Sequence, residues 1–208
     1  KPVMIADASI NAFWVWLRAK YDFSDRQIRK YTFNLAPFLV DKEAIQQGYV
    51  TSEPHTIETR GGFKPQVFLL SDYGYPSYAA MVLARTDWIE NRSEHVQAFV
   101  NATIEGWRSY VYGDPAPGNR LILAANPDMT PEIIEQAIEQ MRRRAMLQSS
   151  DTEAHGIGTM TDERWQKFFD IMSAHGVYAP ALDWRQAFTT RFVNQAQAPQ
   201  PATPRANR

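Results

Sequence analysis

Three groups of side chains carry types and spacings that could do chemistry. Glu53, Pro54 and His55 place a carboxylate two residues from an imidazole, a pair able to move protons or to hold a bound amine. Residues 49–51 read as a short strand, which would set Glu53 at a strand's carboxyl end, the edge where open α/β sheets hold ligands. No Ser or Cys nucleophile motif accompanies the pair, so an ion pair or a ligand-holding carboxylate explains it better than catalysis. Ser9 and Asn11 stand where a strand hands over to a helix, and the free N–H groups and dipole of a helix start receive polar or anionic ligands. An ordinary N-cap accounts for Ser9 equally well. Asp72, Tyr73, Gly74, Tyr75 and Pro76 form a loop whose two tyrosines could stack on a planar ligand and whose glycine permits movement. A turn with packed aromatics is the plainer reading.

Other chemistries lack their residues. The chain has no cysteine, which removes disulfides, thiolate metal sites and a cysteine nucleophile together. His55, His95, His155 and His175 show neither His-x-x-x-His nor His-x-Glu spacing, so no metal site is expected. Dinucleotide and P-loop glycine patterns are absent. The run Arg142-Arg143-Arg144 near a helix end reads as a solvated face favoured by the dipole. Lys and Arg total 22 against 23 Asp and Glu, a net charge of −1, leaving no basic excess for a phosphate backbone; nucleic acid is not an expected partner. The longest apolar stretches, such as 79–84, fall far short of the ~18 residues of a membrane span.

These residues need elements to position them. Residues 3–6 read as a buried strand, and Phe13, Trp14, Leu17 and Tyr21 recur at helical spacing after Ser9. Trp14 is assigned to the core, while Trp16 faces elsewhere and could reach a cleft. A short helix through Ile28, a strand over 30–35, a helix over 38–47 stopped by Gly48, and the strand 49–51 complete a βαβ grammar. Strands are expected over 66–70 and 78–84. Beyond them the pattern is helical, over 87–90, 93–112, 119–125, 131–147 capped by Thr130, 161–175 capped by Thr161, and 184–193. The Ala, Gln and Pro tail, 194–208, is expected to be disordered. At 208 residues, 44% hydrophobic and 12% aromatic, the chain can bury roughly 70–75% of its unfolded surface in one large or two unequal units.

Five segments in order, 1–9, 48–54, 78–89, 96–107 and 158–165, resemble ABC-transporter substrate-binding proteins of the thiamine-pyrimidine-precursor, riboflavin, sulfonate and nitrate group. The resemblance runs from residue 1 to about 193 and rests on order and spacing rather than on one diagnostic motif. It implies a two-lobed α/β fold of the type II periplasmic-binding class, helix-rich in its C-terminal half, closing on a solute delivered to a membrane permease. It further implies a periplasmic or lipid-anchored location, binding without catalysis, and no cofactor. The Ser9 strand-to-helix turn and Glu53 before Pro54 match cleft-lining segments, and the loop around Asp72, Tyr73 and Tyr75 matches the crossing between lobes; Asn11, beside Ser9, is a candidate by position. Residues 1–72 then form most of the second lobe and 73–193 the returning part of the first.

Two departures qualify the resemblance. The chain opens directly on a strand, with nothing matching the family's first half, so the first lobe is expected to be incomplete and to invite its missing fragment or a swapped partner chain. Related pyrimidine-synthesising enzymes carry a cysteine-rich motif that this chain lacks; such an enzyme, using a histidine, is the alternative reading, and a ligand-sensing module a third. A planar heteroaromatic such as a hydroxymethyl-aminopyrimidine suits Glu53 and the tyrosines better than nitrate, because along the sequence no Lys or Arg follows Ser9 before Arg18.

Overall fold

Val3, Met4 and Ile5 form strand β1 (Val3–Ile5), and all three are buried. An unbroken apolar strand is what a parallel sheet covered on both faces requires. In the computed structural model, which describes residues 1–193, β1 is the middle of a three-stranded sheet ordered β2-β1-β3, with β2 at Ile28–Lys30 and β3 at Ile45–Gln46. Both pairings are parallel; Val3 stands opposite Ile28 on one side and Ile45 on the other. Parallel neighbours need crossovers. The first runs through α1 (Asp7–Ser9), a π turn (Ile10–Trp14) and α2 (Val15–Tyr21), with a kink at Ala12. The second uses α3 (Ala36–Val40).

Among the described residues seven further helices follow: α4 (Glu53–Gly61), α5 (Thr86–Asn91), α6 (Ser93–Tyr112), α7 (Ala116–Ala125), α8 (Pro131–Arg143), α9 (Ser150–His155) and α10 (Asp162–Ala174). The expected strong periodicities of α6, α8 and α10 are met, and Thr130 and Thr161 accept the N–H groups of Ile133 and Arg164 as N-caps. The result is a helix-rich α/β fold on a small parallel sheet. No helix of the described residues is long and apolar enough to cross a membrane.

Two apolar clusters hold it. Val3, Ile5 and Trp14 pack with Ile10, Phe13, Leu17, Phe23 and Ile28, while Val96, Val100, Ile104 and Phe192 pack with Ile89, Ile157 and Val193. Helix α2 joins the sheet cluster to later residues. Trp14, fully buried, faces the sheet and donates its Nε1–H to Asp25 at 2.8 Å. Trp16, expected to reach a cleft, is buried instead, with the Tyr75 ring 5.1 Å away. Tyr75 in turn meets Phe168 of α10 at 5.9 Å. Arg164 of α10 donates to the carbonyls of Pro76 and Ser77 and lies 4.3 Å over the Tyr78 ring, so the segment 75–78 is clamped at two points.

Several expected elements give way to local hydrogen bonding. The strand over 30–35 is β2 at 28–30 followed by one more ladder bond, Tyr31 N–H to Ile5 O, because Phe33 turns the chain with φ +64° and Asn34 accepts the N–H of Ala36. The helix over 38–47 ends at Val40, where Asp41 accepts the N–H of Glu43 through its side chain and that of Ala44 through its carbonyl. This Asx turn frees Ile45 and Gln46 to fill the open side of β1, and the strand expected at 49–51 is a turn. Segments 66–70 and 78–84 have strand-like composition but no partner strand among the described residues, and Leu83 is 97% exposed. Arg142 is more than a solvated charge, since its Nε–H donates to the Val111 carbonyl at the end of α6. Helix α9, capped by Ser149, was not foreseen, and 184–193 yields only the 3-10 turn Trp184–Ala187. The tail 194–208 lies outside the described residues.

Trp14 offers the direct test of this packing. Trp14→Ala is expected to cost about 3–5 kcal/mol in urea unfolding, as truncation of a buried Trp does. Trp14→Phe shrinks a fully buried ring and removes its bond to Asp25, so an intermediate cost of about 1–3 kcal/mol is expected. Equal stability of Trp14→Ala and the parent would show that this cluster is not the core.

Candidate functional site

The carboxyl ends of β1, β2 and β3 converge on one edge, continued by Ala6, Tyr31 and Gln47. Gln47 ties the edge together, because its N–H donates to Met4 O and its Oε1 accepts the N–H of Ala6, each at 2.9 Å. Glu53 lies at this edge but not at the end of a strand as expected. It opens α4, with Pro54 in the first turn where a missing N–H costs nothing. The Ser52-Glu53-Pro54 order was the available signal for that helix start.

Glu53 is 8% exposed, and both carboxylate oxygens are engaged. Oε1 accepts the Tyr31 hydroxyl at 3.0 Å and Oε2 the Tyr49 N–H at 2.8 Å. A carboxylate taken out of water must be hydrogen-bonded, and a turn and a strand end supply its donors. Gly48, expected to stop a helix, has a different task. A Cβ there would lie 3.0 Å from Glu53 Cβ and 3.3 Å from its carboxyl carbon, a crowded approach that glycine relieves. Tyr31 is buried, and that burial, then the charge of Glu53 and their hydrogen bond, push its phenol well above the ordinary value near 10.

Two aromatic rings stand open beside this buried pair. Phe33, 68% exposed, has its ring 5.1 Å from that of Tyr31. Tyr49, 66% exposed, supplies the backbone donor to Glu53. The left-handed φ of Phe33 costs a side-chain-bearing residue roughly 1–2 kcal/mol. Neither ring was singled out from the sequence, because nothing in a sequence marks a phenylalanine at positive φ.

The other expected residues fall in two places. Ser9 is half-buried in the helical turn after β1; it does not cap the helix, whose N-cap is Ala6, but donates its N–H to Ala6 O at 2.9 Å. Asn11 is exposed in the π turn that follows. Asp72, Tyr73 and Tyr75 belong to a 3-10 turn (Leu70–Tyr73) and its exit, which rest on the last turns of α2 rather than on the sheet edge: Lys20 donates to the Tyr73 carbonyl and Tyr75 packs on Trp16. Gly74 leaves this turn at φ +91°. Burial raises the Tyr75 phenol, against a smaller lowering by its hydrogen bond with Ser77. Asp72 is exposed. Lys30, which the sequence does not connect with Ser9, reaches the edge and pairs with Asp7 at 2.7 Å. Among the described residues no three His, Asp or Glu side chains gather as a metal would need.

Removing the Tyr31 hydroxyl leaves one oxygen of a buried carboxylate without its donor. Tyr31→Phe is therefore expected to lower stability at pH 7 by about 1.5–3 kcal/mol in urea unfolding. Because the folded chain holds the phenolic proton more tightly than the unfolded chain, this stabilisation is whole below about pH 10 and lost as pH rises beyond it. The variant should show a shallower alkaline decline than the parent, while Tyr75, Tyr110 and Tyr112, whose phenols burial also raises, keep their share. Unchanged stability at both pH values would overturn this role for the pair.

Comparison with known proteins bears on this edge. Riboflavin-binding protein RibY of Chloroflexus aurantiacus is 26% identical over 172 residues, covering 76% of this chain and 44% of the relative; the chain thus spans less than half of that protein's length. No solved structure matches. The NMT1/THI5-like family pattern matches residues 13–117, which hold Tyr31, Phe33, Tyr49, Glu53 and the turn at Tyr73. That match covers just over half of the 208 residues, and the chain belongs to the NMT1/THI5-like family.

Proposed function

We propose that this chain binds a small, planar, hydrogen-bond-donating solute at the carboxyl edge of its sheet and acts as the receptor of an ABC importer. The observation that carries this reading is Glu53, a carboxylate fixed at the ligand-bearing edge of a parallel sheet. Two of its roughly four lone-pair sites are taken by Tyr31 and Tyr49, leaving acceptor capacity for an exocyclic amine or a ring N–H. Family membership and the name of the riboflavin-binding relative support a heteroaromatic solute. Between the two flat candidates, an aminopyrimidine offers an amine and a flavin offers a ring imide.

In this reading Ser9, Asn11 and Glu53 face the solute from one lobe, built from residues 1–72. The loop of Asp72, Tyr73 and Tyr75 crosses to residues 73–193, the returning part of the other lobe, in a type II closing arrangement. The partner is a membrane permease, and the place of action is outside the cytoplasm, in the periplasm or on a lipid anchor. Binding requires no covalent step, and no residue is assigned a catalytic role. His55 follows Glu53 in the first turn of α4, and the reading gives it no proton to move.

Glu53→Gln separates the charge from the fold. The amide can turn so that its oxygen accepts the Tyr49 N–H while its NH2 donates to the Tyr31 oxygen, so the local structure is retained. Titration with riboflavin and with 4-amino-5-hydroxymethyl-2-methylpyrimidine should show tight binding of one of them by the parent. The variant should bind that solute with about 1.5–3 kcal/mol less free energy, the worth of a hydrogen bond to a charged group, or roughly ten- to a hundredfold more weakly. Equal affinity in the folded variant would sink the assignment of Glu53.

A further inference from the structure

Phe33 combines three features that seldom meet in one residue. Its backbone is left-handed at φ +64°, a conformation that a bulky side chain adopts at a cost. Its ring is 68% exposed, so the cost is not offset by burial of the whole side chain in a core. One contact fixes it nonetheless: the ring lies 5.1 Å from Tyr31 at an interplanar angle of 48°, and Tyr31 is the residue that holds Glu53. An exposed aromatic held in a strained backbone beside a positioned carboxylate contributes little to stability, and backbone outliers of this kind collect at ligand-holding sites.

We infer that Phe33 is the stacking platform of the solute site, with Tyr49 as the second open ring, and that it selects flat aromatic solutes over aliphatic ones. This rests on the reading of the carboxyl edge as the binding site, and it moves the stacking role away from Tyr73 and Tyr75. Those two are committed elsewhere: the Tyr75 ring packs between Trp16 and Phe168, and Tyr73 pairs with Phe68 at 6.1 Å while its carbonyl receives Lys20. The left-handed backbone at Phe33 turns the chain away from β2 directly after the last ladder bond at Tyr31. The ring that follows is thereby set on the rim instead of continuing the strand. Glu53 supplies the directional hydrogen bond and Phe33 the flat face, so a solute must offer a donor in the plane of its ring. That is the chemistry of an amino- or imide-bearing heterocycle.

Two variants and one conservative control test this. Glycine adopts positive φ freely, so Phe33→Gly should unfold at the same urea concentration as the parent or higher. Phe33→Leu keeps bulk without a π face. Both are expected to bind the flat solute at least tenfold more weakly, and Phe33→Tyr to bind it within threefold of the parent. If the parent binds a flat solute and both Phe33→Gly and Phe33→Leu bind it equally well, the platform is overturned while the solute-binding reading stands. If Phe33→Gly unfolds at markedly lower urea, the ring serves the fold and the inference fails. If the parent binds neither riboflavin nor the aminopyrimidine, both readings fall together.

Discussion

A carboxylate removed from water demands donors, and much of the local structure at this sheet edge answers the demand of Glu53. The phenol of Tyr31 has to come from the end of β2 and the N–H of Tyr49 from the turn after β3. Both strands must therefore be in register with β1 before both donors are in place. Gly48, by lacking a side chain, leaves room for the Glu53 side chain against the turn. Pro54, which has no N–H to leave unpaired, suits the first turn of α4. Strands of two and three residues carry little stability of their own, so the hydrogen-bonded acid acts as a lock on a sheet that would otherwise be marginal. The same lock sets a carboxylate acceptor at the carboxyl edge of the sheet.

Helix α2 converts that local order into a connected molecule. Two tryptophans separated by one residue lie on different faces of a helix, and here both are buried. Trp14, at the end of the π turn that runs into α2, closes the sheet cluster, and Trp16 receives Tyr75 from the segment after the Leu70–Tyr73 turn. Lys20 adds a charge over the Trp16 and Tyr21 rings and a bond to the Tyr73 carbonyl. Arg164 grips the same segment from the other side through two carbonyls and a ring, using the planar fork that lysine lacks. A segment with few backbone partners of its own is thus held by long cations, which can release and re-form without unfolding a strand.

What could be read in the sequence follows from how each element is stabilised. Helices α6, α8 and α10 depend on periodic apolar faces and local caps, both written in adjacent residues, and their starts are where Thr130 and Thr161 indicate. Strands depend on neighbours remote in sequence. β1 is legible because it is buried on both faces, whereas the composition of 78–84 suggests a strand that finds no partner among the described residues. Asp41 and Asn34 end elements through side-chain turns that a periodicity count passes over. Glu53 could be picked out as a ligand-type carboxylate, but its actual partners lie 22 and 4 residues away in two different elements. The open rings of Phe33 and Tyr49 depend on backbone angles that their residue types disfavour or leave unspecified.

On the proposed reading of this edge, electrostatics narrows the solute further. Along the sequence, the absence of a cation between Ser9 and Arg18 argues against an anionic ligand, but Lys30 is carried to the edge by the β2 register and weakens that argument in its simple form. Its ammonium is spoken for, since Asp7 lies 2.7 Å away with both groups about two-thirds exposed. An ion pair so open contributes at most about 1 kcal/mol to stability, yet it cancels the charge of Lys30 locally. The net field of the edge is then that of Glu53, negative and held in place. If the solute sits at this edge, as proposed, such a field disfavours nitrate or a sulfonate and favours a neutral heterocycle that donates, so the chemistry of the solute would follow from which charge at the edge the protein leaves unneutralised.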